Sequence, residues 1–269
     1  MKNSKFFEYL NEKVNFIRKE TLKLHLLTPE TRIASSLSCI EIFVVLYYSK
    51  IFNFFSEKQG DKLVISKGHG SISLYPILYD LGFIRKNELE NISKENSVLG
   101  SIPDISLPTI DLINGSLGHG LGQACGIALG LKRKKINSKV IVLIGDGELY
   151  EGSVWEAVMF AFHHKLDNII AIIDNNKISM LDYCKNIINI EPIKEKFSHF
   201  GWLVKVINGH DIYSLYQSLY SLKYNKGKKP KVLIAETVKG KGVPSLEKDP
   251  LCHIRSLKKE EILLIINGK

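Results

Sequence analysis

Two polar positions, Asp146 and Asn176, stand at the ends of two apolar runs. The first run, Val140 to Gly145, breaks at Gly145-Asp146-Gly147, and the second, Ile169 to Ile173, ends at Asp174-Asn175-Asn176. A carboxylate and an amide oxygen are hard donors that suit Mg²⁺ or Ca²⁺, and Mg²⁺ usually takes remaining ligands from water and a substrate phosphate. Gly145 and Gly147 let main chain approach such a phosphate, and free N–H groups opening a helix favour its charge. The pair therefore predicts a metal-bridged diphosphate. Gly-Asp-Gly by itself reads more readily as a tight strand-to-helix turn, and Asp-Asn-Asn as an ordinary polar loop.

A strand, a helix and a second strand must hold these residues. Short β-branched runs bounded by Gly or Asn, with a helix-length segment between them, form a βαβ unit. The strands show no alternation of apolar and polar positions. That predicts an α/β fold, a parallel sheet with helices on both faces. Ligands of such sheets sit at the carboxyl ends of the strands, where Asp146 and Asn176 both fall.

The interval from Asp146 to Asn176 is 176 − 146 = 30 residues. GDG followed at that interval by NN is the thiamine-diphosphate motif, and the flanking EGSVWEA and LDNIIAIIDNNKI resemble transketolase in particular. The resemblance implies the diphosphate-binding (PP) fold over nearly the whole chain, with residues 1–269 as one domain. It implies that Asp146 and Asn176 bind the metal through side chains and Ile178 through its carbonyl. Gly145, Gly147 and Glu148 would belong to the cofactor-binding turn, and Met180 would flank the thiazole ring.

Other segments carry further roles by the same resemblance. Ser66-Lys67-Gly68-His69 matches a family loop whose histidine contacts the diphosphate, which implies that role for His69. Gly115-Ser116-Leu117-Gly118 matches a loop under the aminopyrimidine, so Gly115 and Leu117 become cofactor-binding positions. Glu151 and Glu156 resemble two glutamates buried near the cofactor at the dimer interface. His253, ten residues beyond the TVKGKGV segment, fits a histidine that meets the diphosphate and helps with substrate protons. The implied catalytic set is His69, Glu151 and His253. Several positions depart from the family: Asn114 replaces a usual threonine, Cys252 and Ile254 replace the neighbours of the histidine at 253, and two substrate-facing histidines are missing. Arg32 stands where a substrate-facing histidine is usual, which replaces a proton carrier by a permanent cation, and Ile102 stands in place of another.

The resemblance covers the diphosphate-binding domain of the family and not its pyrimidine-binding domain. It therefore implies a split enzyme, in which this chain pairs with a separate C-terminal subunit in an α2β2 assembly. The activity implied is transfer of a two-carbon ketol unit between sugars or sugar phosphates, with specialised sugar biosynthesis as one setting. Two alternatives share GDG…NN: a thiamine-dependent 2-oxo acid decarboxylase or dehydrogenase subunit, and a cofactor-binding scaffold without catalysis.

Composition narrows the remaining classes. The 45% hydrophobic content predicts a globular core, and no apolar run is long enough for a membrane span. The amino end lacks the apolar stretch of a secretory signal. Cys39, Cys125, Cys184 and Cys252 form no CxxC pair and read as buried thiols of a cytoplasmic protein. The net charge of +9 comes largely from lysine clusters without interleaved aromatics, such as 132–135. It predicts a solvated surface, or attraction to phosphorylated substrates, rather than a nucleic-acid track.

In chain order, Phe7, Leu10, Val14, Ile17 and Leu24 predict an amphipathic helix over Ser4 to Leu27. Residues 32–38 read as a loop leading into an apolar helix, Ile40 to Tyr48. Residues 99–121 read as an extended Pro- and Gly-rich loop. Small residues from Gly122 to Gly130 predict a helix that another helix can approach closely. Asp211 reads as an N-cap, and His210 as structural.

Overall fold

The structure is a computed structural model that describes residues 4–56, 59–104, 106–247 and 249–268. Its centre is a parallel sheet of β1 (Lys62–Ile65), β2 (Leu112–Ile113), β3 (Val140–Gly145), β4 (Ile169–Asn175), β5 (Leu203–Asn208) and β6 (Lys231–Glu236). The spatial order is β2-β1-β3-β4-β6-β5, with every pairing parallel. Helices α1 (Ser4–Leu27), α2 (Ile33–Leu37), α3 (Ile40–Tyr48), α4 (Leu74–Asp80) and α5 (Lys86–Glu90) come from the first third of the chain. Then follow α6 (Gly120–Arg133), α7 (Gly152–His163), α8 (Cys184–Ile187) and α9 (Ile193–His199). Last are α10 (Ile212–Lys223), α11 (Pro244–Glu247) and α12 (Lys259–Ile266).

The uniform apolarity of the strands has a direct structural cause. Successive strand side chains point to opposite faces. On one face Leu63, Ile65, Ile141, Leu143, Ile170 and Ile172 pack with α1, α3 and α10. On the other, Val64, Val140, Val142, Ile144, Ala171 and Ile173 pack with α6, α7 and α9. Every residue of β4 is buried. Burial of each such Ile or Leu contributes about 1.5–3 kcal/mol relative to exposure, so both helical layers are held by the same six strands.

α1 has the bounds its periodicity predicts. Leu10, Val14, Ile17 and Leu24 form its buried stripe. Asp211 caps α10 by accepting the Tyr213 N–H. His210 Nε2 accepts the Val238 N–H at 2.8 Å, which ties the β5–α10 turn to the end of β6. All four cysteines are free and buried. Among the described residues no helix is long and apolar enough to cross a membrane.

Two segments differ from their expected form. Residues 33–37 are a helix, not a loop, and all five are buried. The Ala-Ser-Ser segment has no periodicity to reveal this, and contacts distant in sequence hold it: Gly240 N–H donates to Ala34 O at 2.9 Å, and Ser38 Oγ donates to Asp174 Oδ2 at 2.6 Å. Within the extended 99–121 segment, Leu112 and Ile113 add a short strand beside β1, where Asn114 N–H donates to Ile65 O at 3.0 Å.

Candidate active site

The sheet order reverses between β1 and β3, which makes a crevice beyond the carboxyl ends of the strands. Loops after β1, β3, β4 and β6 meet there around a cavity of about 300 Å³. Its walls include Arg32, His69, Gly115, Leu117, Gly145, Asp146, Gly147, Glu148, Asn176, Ile178, Met180 and His253. Residues expected from separate stretches of sequence thus share one pocket.

Glu148 braces the loops. Its Oε1 accepts hydrogen bonds from Ser66 Oγ and from the Gly118 N–H, the latter at 2.9 Å. Its Oε2 accepts the Gly145 N–H at 2.9 Å. One carboxylate therefore joins the ends of β1 and β3 to the start of α6. Burial raises its pKa, against the lowering effect of these donors. Gly68 lies so close to the 112–114 segment that a Cβ would stand 2.3 Å from Asn114 O, so only glycine fits there.

Asp146 opens a 3₁₀ turn, Asp146–Tyr150, directly after β3. Its Oδ1 accepts the Gly147 N–H at 2.8 Å, and its Oδ2 accepts the Lys177 N–H at 2.5 Å. Burial, with the nearby charge of Asp174, raises its carboxyl to about 6. Asn176 Oδ1 accepts the Ile178 N–H at 3.2 Å, and its Nδ2 donates to Asp174 Oδ2 at 3.2 Å. These donors fit a hard divalent cation. They are a carboxylate, an amide oxygen and a main-chain carbonyl, and Asp146 is a buried acid with a second acid close by. Among the described residues no group of three or more His, Cys, Asp or Glu makes a protein-only metal cage.

Asp174 lies under the pocket, fully buried. Lys67 Nζ donates to its Oδ2, and Ser38 and Thr237 hydroxyls donate to its two oxygens. Burial alone would raise its pKa, yet Lys67 and these donors hold it below the ordinary aspartate value. Lys239 Nζ donates to Ile178 O at 2.7 Å and to Ser179 O at 2.9 Å. Burial lowers Lys239 to about 8. A metal taking the Ile178 carbonyl would share that oxygen with the Lys239 ammonium.

His69 and His253 lie edge to face with ring centroids 5.2 Å apart. Ser35 Oγ is 3.2 Å from His253 Nδ1, so α2 orients that ring. Burial first, then the surrounding cations Lys67, Lys239 and Arg32, lower both histidines to about 3. Both rings are neutral near pH 7, and each can donate one hydrogen bond and accept another.

Glu151 does not line this cavity. It is exposed at the start of α7, against Gly118, where a Cβ would meet Glu151 Cβ at 2.6 Å. Glu156 is on the same helix, away from the cavity wall. Ile102 lies over Gly68 and Gly115 and makes a partly exposed apolar edge. Sequence reasoning gave no role to Ser35, Asp174, Ser179 or Lys239. The signals were slight: an acid before Asn-Asn, and a lysine in a Gly-rich segment after a buried strand.

Fold and pocket together define a class, the parallel α/β domain that takes a small ligand beyond the carboxyl ends of its strands. Residues 35–267 match the family model described as transketolase, thiamine diphosphate binding domain. The chain is 35% identical over 234 residues to an apulose-4-phosphate transketolase subunit of Phocaeicola vulgatus, covering 86% of this chain and 83% of that one. It is 34% identical over 256 residues to a 6-deoxy-6-sulfo-D-fructose transketolase subunit of Clostridium sp. strain MSTE9, covering 94% and 92%. The crystal structure of Campylobacter jejuni transketolase superposes with a TM-score of 0.88 at 31% identity, over 97% of this chain and 42% of that one. The chain belongs to the transketolase family and carries its thiamine diphosphate binding domain.

Proposed function

We propose that this chain is the diphosphate-binding subunit of a transketolase-type enzyme, which with a separate pyrimidine-binding subunit moves a two-carbon ketol unit between sugars or sugar phosphates. One observation carries the reading: Asp146, Asn176 and the Ile178 turn share a single cavity with the two neutral histidines His69 and His253. The subunit names of the two relatives, each matched over most of its length, support a partner and sugar-derived substrates.

In this reading Asp146, Asn176 and the Ile178 carbonyl would hold Mg²⁺ or Ca²⁺, whose charge would offset that of the diphosphate. Gly145 and Gly147 leave space for the phosphate oxygens, and Glu148 keeps their loops in register. Gly115, Leu117 and Met180 bound the organic part of the cofactor. When bound, thiamine diphosphate supplies an electron sink for the carbanion left by carbon–carbon cleavage. His69 and His253, held neutral, each donate one hydrogen bond and accept another, and so orient substrate hydroxyls.

The partner covers α6 and α7. Gly122, Gly126 and Gly130 face open space, Met159 and Phe160 are exposed beside them, and Glu151 and Glu156 belong to the same helix as these two apolar residues or to its start. A face of small residues flanked by large apolar ones accepts a helix at short range. Glu151 then acts at the completed interface, and two copies of each chain make the α2β2 assembly.

Calorimetric titration with thiamine diphosphate and Mg²⁺, on this chain with and without its partner subunit, tests the reading. Tight binding in the mixture that disappears in Asp146→Ala supports a shared site. Absence of binding in both samples rejects the cofactor assignment, and tight binding without the partner rejects the shared site.

A further inference from the structure

Among the described residues, Arg32 is the pocket cation whose charge the protein itself does not use. The cationic side chains of the cavity wall are Arg32, Lys67 and Lys239. Lys67 is committed to Asp174 and Lys239 to two main-chain carbonyls. The acids of the wall are committed as well. Asp146 accepts two main-chain N–H groups, and Glu148 accepts three donors. Among the described residues no acid forms an ion pair with Arg32 and no group bonds its guanidinium, although its main chain is fixed at the start of the buried helix α2.

The position of that charge is informative. Arg32 is exposed while the next five residues are buried, so it stands at the rim with its backbone anchored below. Its charge acts on both His69 and His253, whose rings are 5.2 Å apart. A small molecule held against the two histidines is therefore within the field of the guanidinium. The histidines are neutral and can bind a hydroxyl or carbonyl, but they cannot balance a full negative charge. A guanidinium can, and its planar fork matches a carboxylate or a phosphate with paired hydrogen bonds.

We propose that Arg32 is a specificity-determining residue that pairs with an oxyanion on the substrate, a carboxylate or a phosphate, while His69 and His253 bind its uncharged oxygens. The inference rests on the proposed function, which supplies the carbonyl substrate, and narrows that substrate to an anionic one whose charge reaches the rim beside the histidines.

The test uses the complex of this chain with its partner subunit, loaded with thiamine diphosphate and Mg²⁺. Three ketol donors are compared: hydroxypyruvate with a carboxylate, xylulose 5-phosphate with a phosphate, and uncharged erythrulose. In Arg32→Gln the ratio of kcat/KM for the anionic donor over erythrulose falls about 30-fold, chiefly through KM, as expected for loss of a charge-assisted hydrogen-bond pair. Arg32→Lys restores part of the ratio and Arg32→His does not. The donor that suffers the loss identifies the oxyanion.

Calorimetry with the unreactive analogues glycerate and xylitol 5-phosphate reads the same contact without turnover. If no donor reacts and an analogue still binds through Arg32, the transketolase reading falls and the anion site stands. If Arg32→Gln lowers kcat/KM equally for charged and uncharged donors, or leaves analogue affinity unchanged, the inference is overturned.

Discussion

Lys67, from the loop after β1, and Asp174, from the end of β4, form an ion pair beneath the pocket with side chains 2% and 0% exposed. The pair crosses under β3 and holds the Ser-Lys-Gly-His loop against the Asn-Asn turn. Asp174 also bonds Ser38, Thr237 and Asn176, so one buried carboxylate binds several segments together. Lys67→Met leaves that charge uncompensated beside Asp146. Removing one member of a buried pair costs about 3–5 kcal/mol. Urea unfolding is expected to show a loss of that order, and a loss under about 1 kcal/mol would mean that the hydroxyl donors alone suffice.

In the proposed function Asp146 would face a diphosphate of its own sign unless a cation stood between them. Removal of divalent metal with EDTA should therefore weaken thiamine diphosphate binding to the assembled enzyme roughly 100-fold, the scale of an unbridged like-charge contact. In Asp146→Asn both the metal's carboxylate and that repulsion are lost, so affinity should change little on addition of EDTA. An EDTA response in Asp146→Asn equal to that of the unmodified chain would place the metal elsewhere.

A Cβ added at Gly126 meets no atom within 4 Å and the residue is exposed, so this chain itself should accept Gly126→Trp pointing into solvent. Replacing a mid-helix glycine should leave its melting temperature unchanged or raise it, since glycine costs roughly 0.5–1 kcal/mol relative to alanine in a helix. Assembly should fail, because the indole would stand where the proposed partner packs. Sedimentation of the mixed subunits distinguishes the outcomes: normal assembly of the variant removes α6 from the interface.

His25 gives the fold a pH dependence away from the pocket. It is fully buried, its Nδ1 is 2.8 Å from Thr31 Oγ1, and the Leu257 N–H points at its Nε2. Protonating Nε2 would set two donors against each other. Burial lowers the folded pKa from 6.5 to about 4. Below pH 6.5 the unfolded chain therefore takes up a proton that the folded chain does not, and stability falls as pH falls towards 4. The full loss is about 3 kcal/mol at pH 4. His25→Gln should flatten the slope between pH 6.5 and 5 in urea titrations. An unaltered slope would assign the titration to other groups.

Local pattern reveals much of this structure. β3 and β4 announce themselves as unbroken β-branched runs because both of their faces are covered. α1 announces itself because a single stripe of it is buried. Asp146 and Asn176 could be placed at strand ends for the same reason. What local pattern does not carry is pairing at long range. The helix at Ile33–Leu37 is specified by contacts with Gly240 and Asp174, and its own residues are weakly helical. Asp174 looks like an ordinary strand-end acid until Lys67 is seen beside it. Glu151, expected in the catalytic set, lies outside the cavity because its helix begins on the side that the proposed partner covers.

The pocket draws on residues as distant in sequence as Arg32 and His253. No fragment shorter than that span contains it, so ligand affinity measures completed tertiary structure. During synthesis from the amino end, the binding site comes into being only after β6 has entered the sheet and the segment bearing His253 has closed over α2. A ligand that binds there stabilises finished chains and leaves partial ones unprotected. On the proposed shared site that protection would reach only chains that are both finished and assembled, so the cofactor would act on the complex rather than on the free subunit.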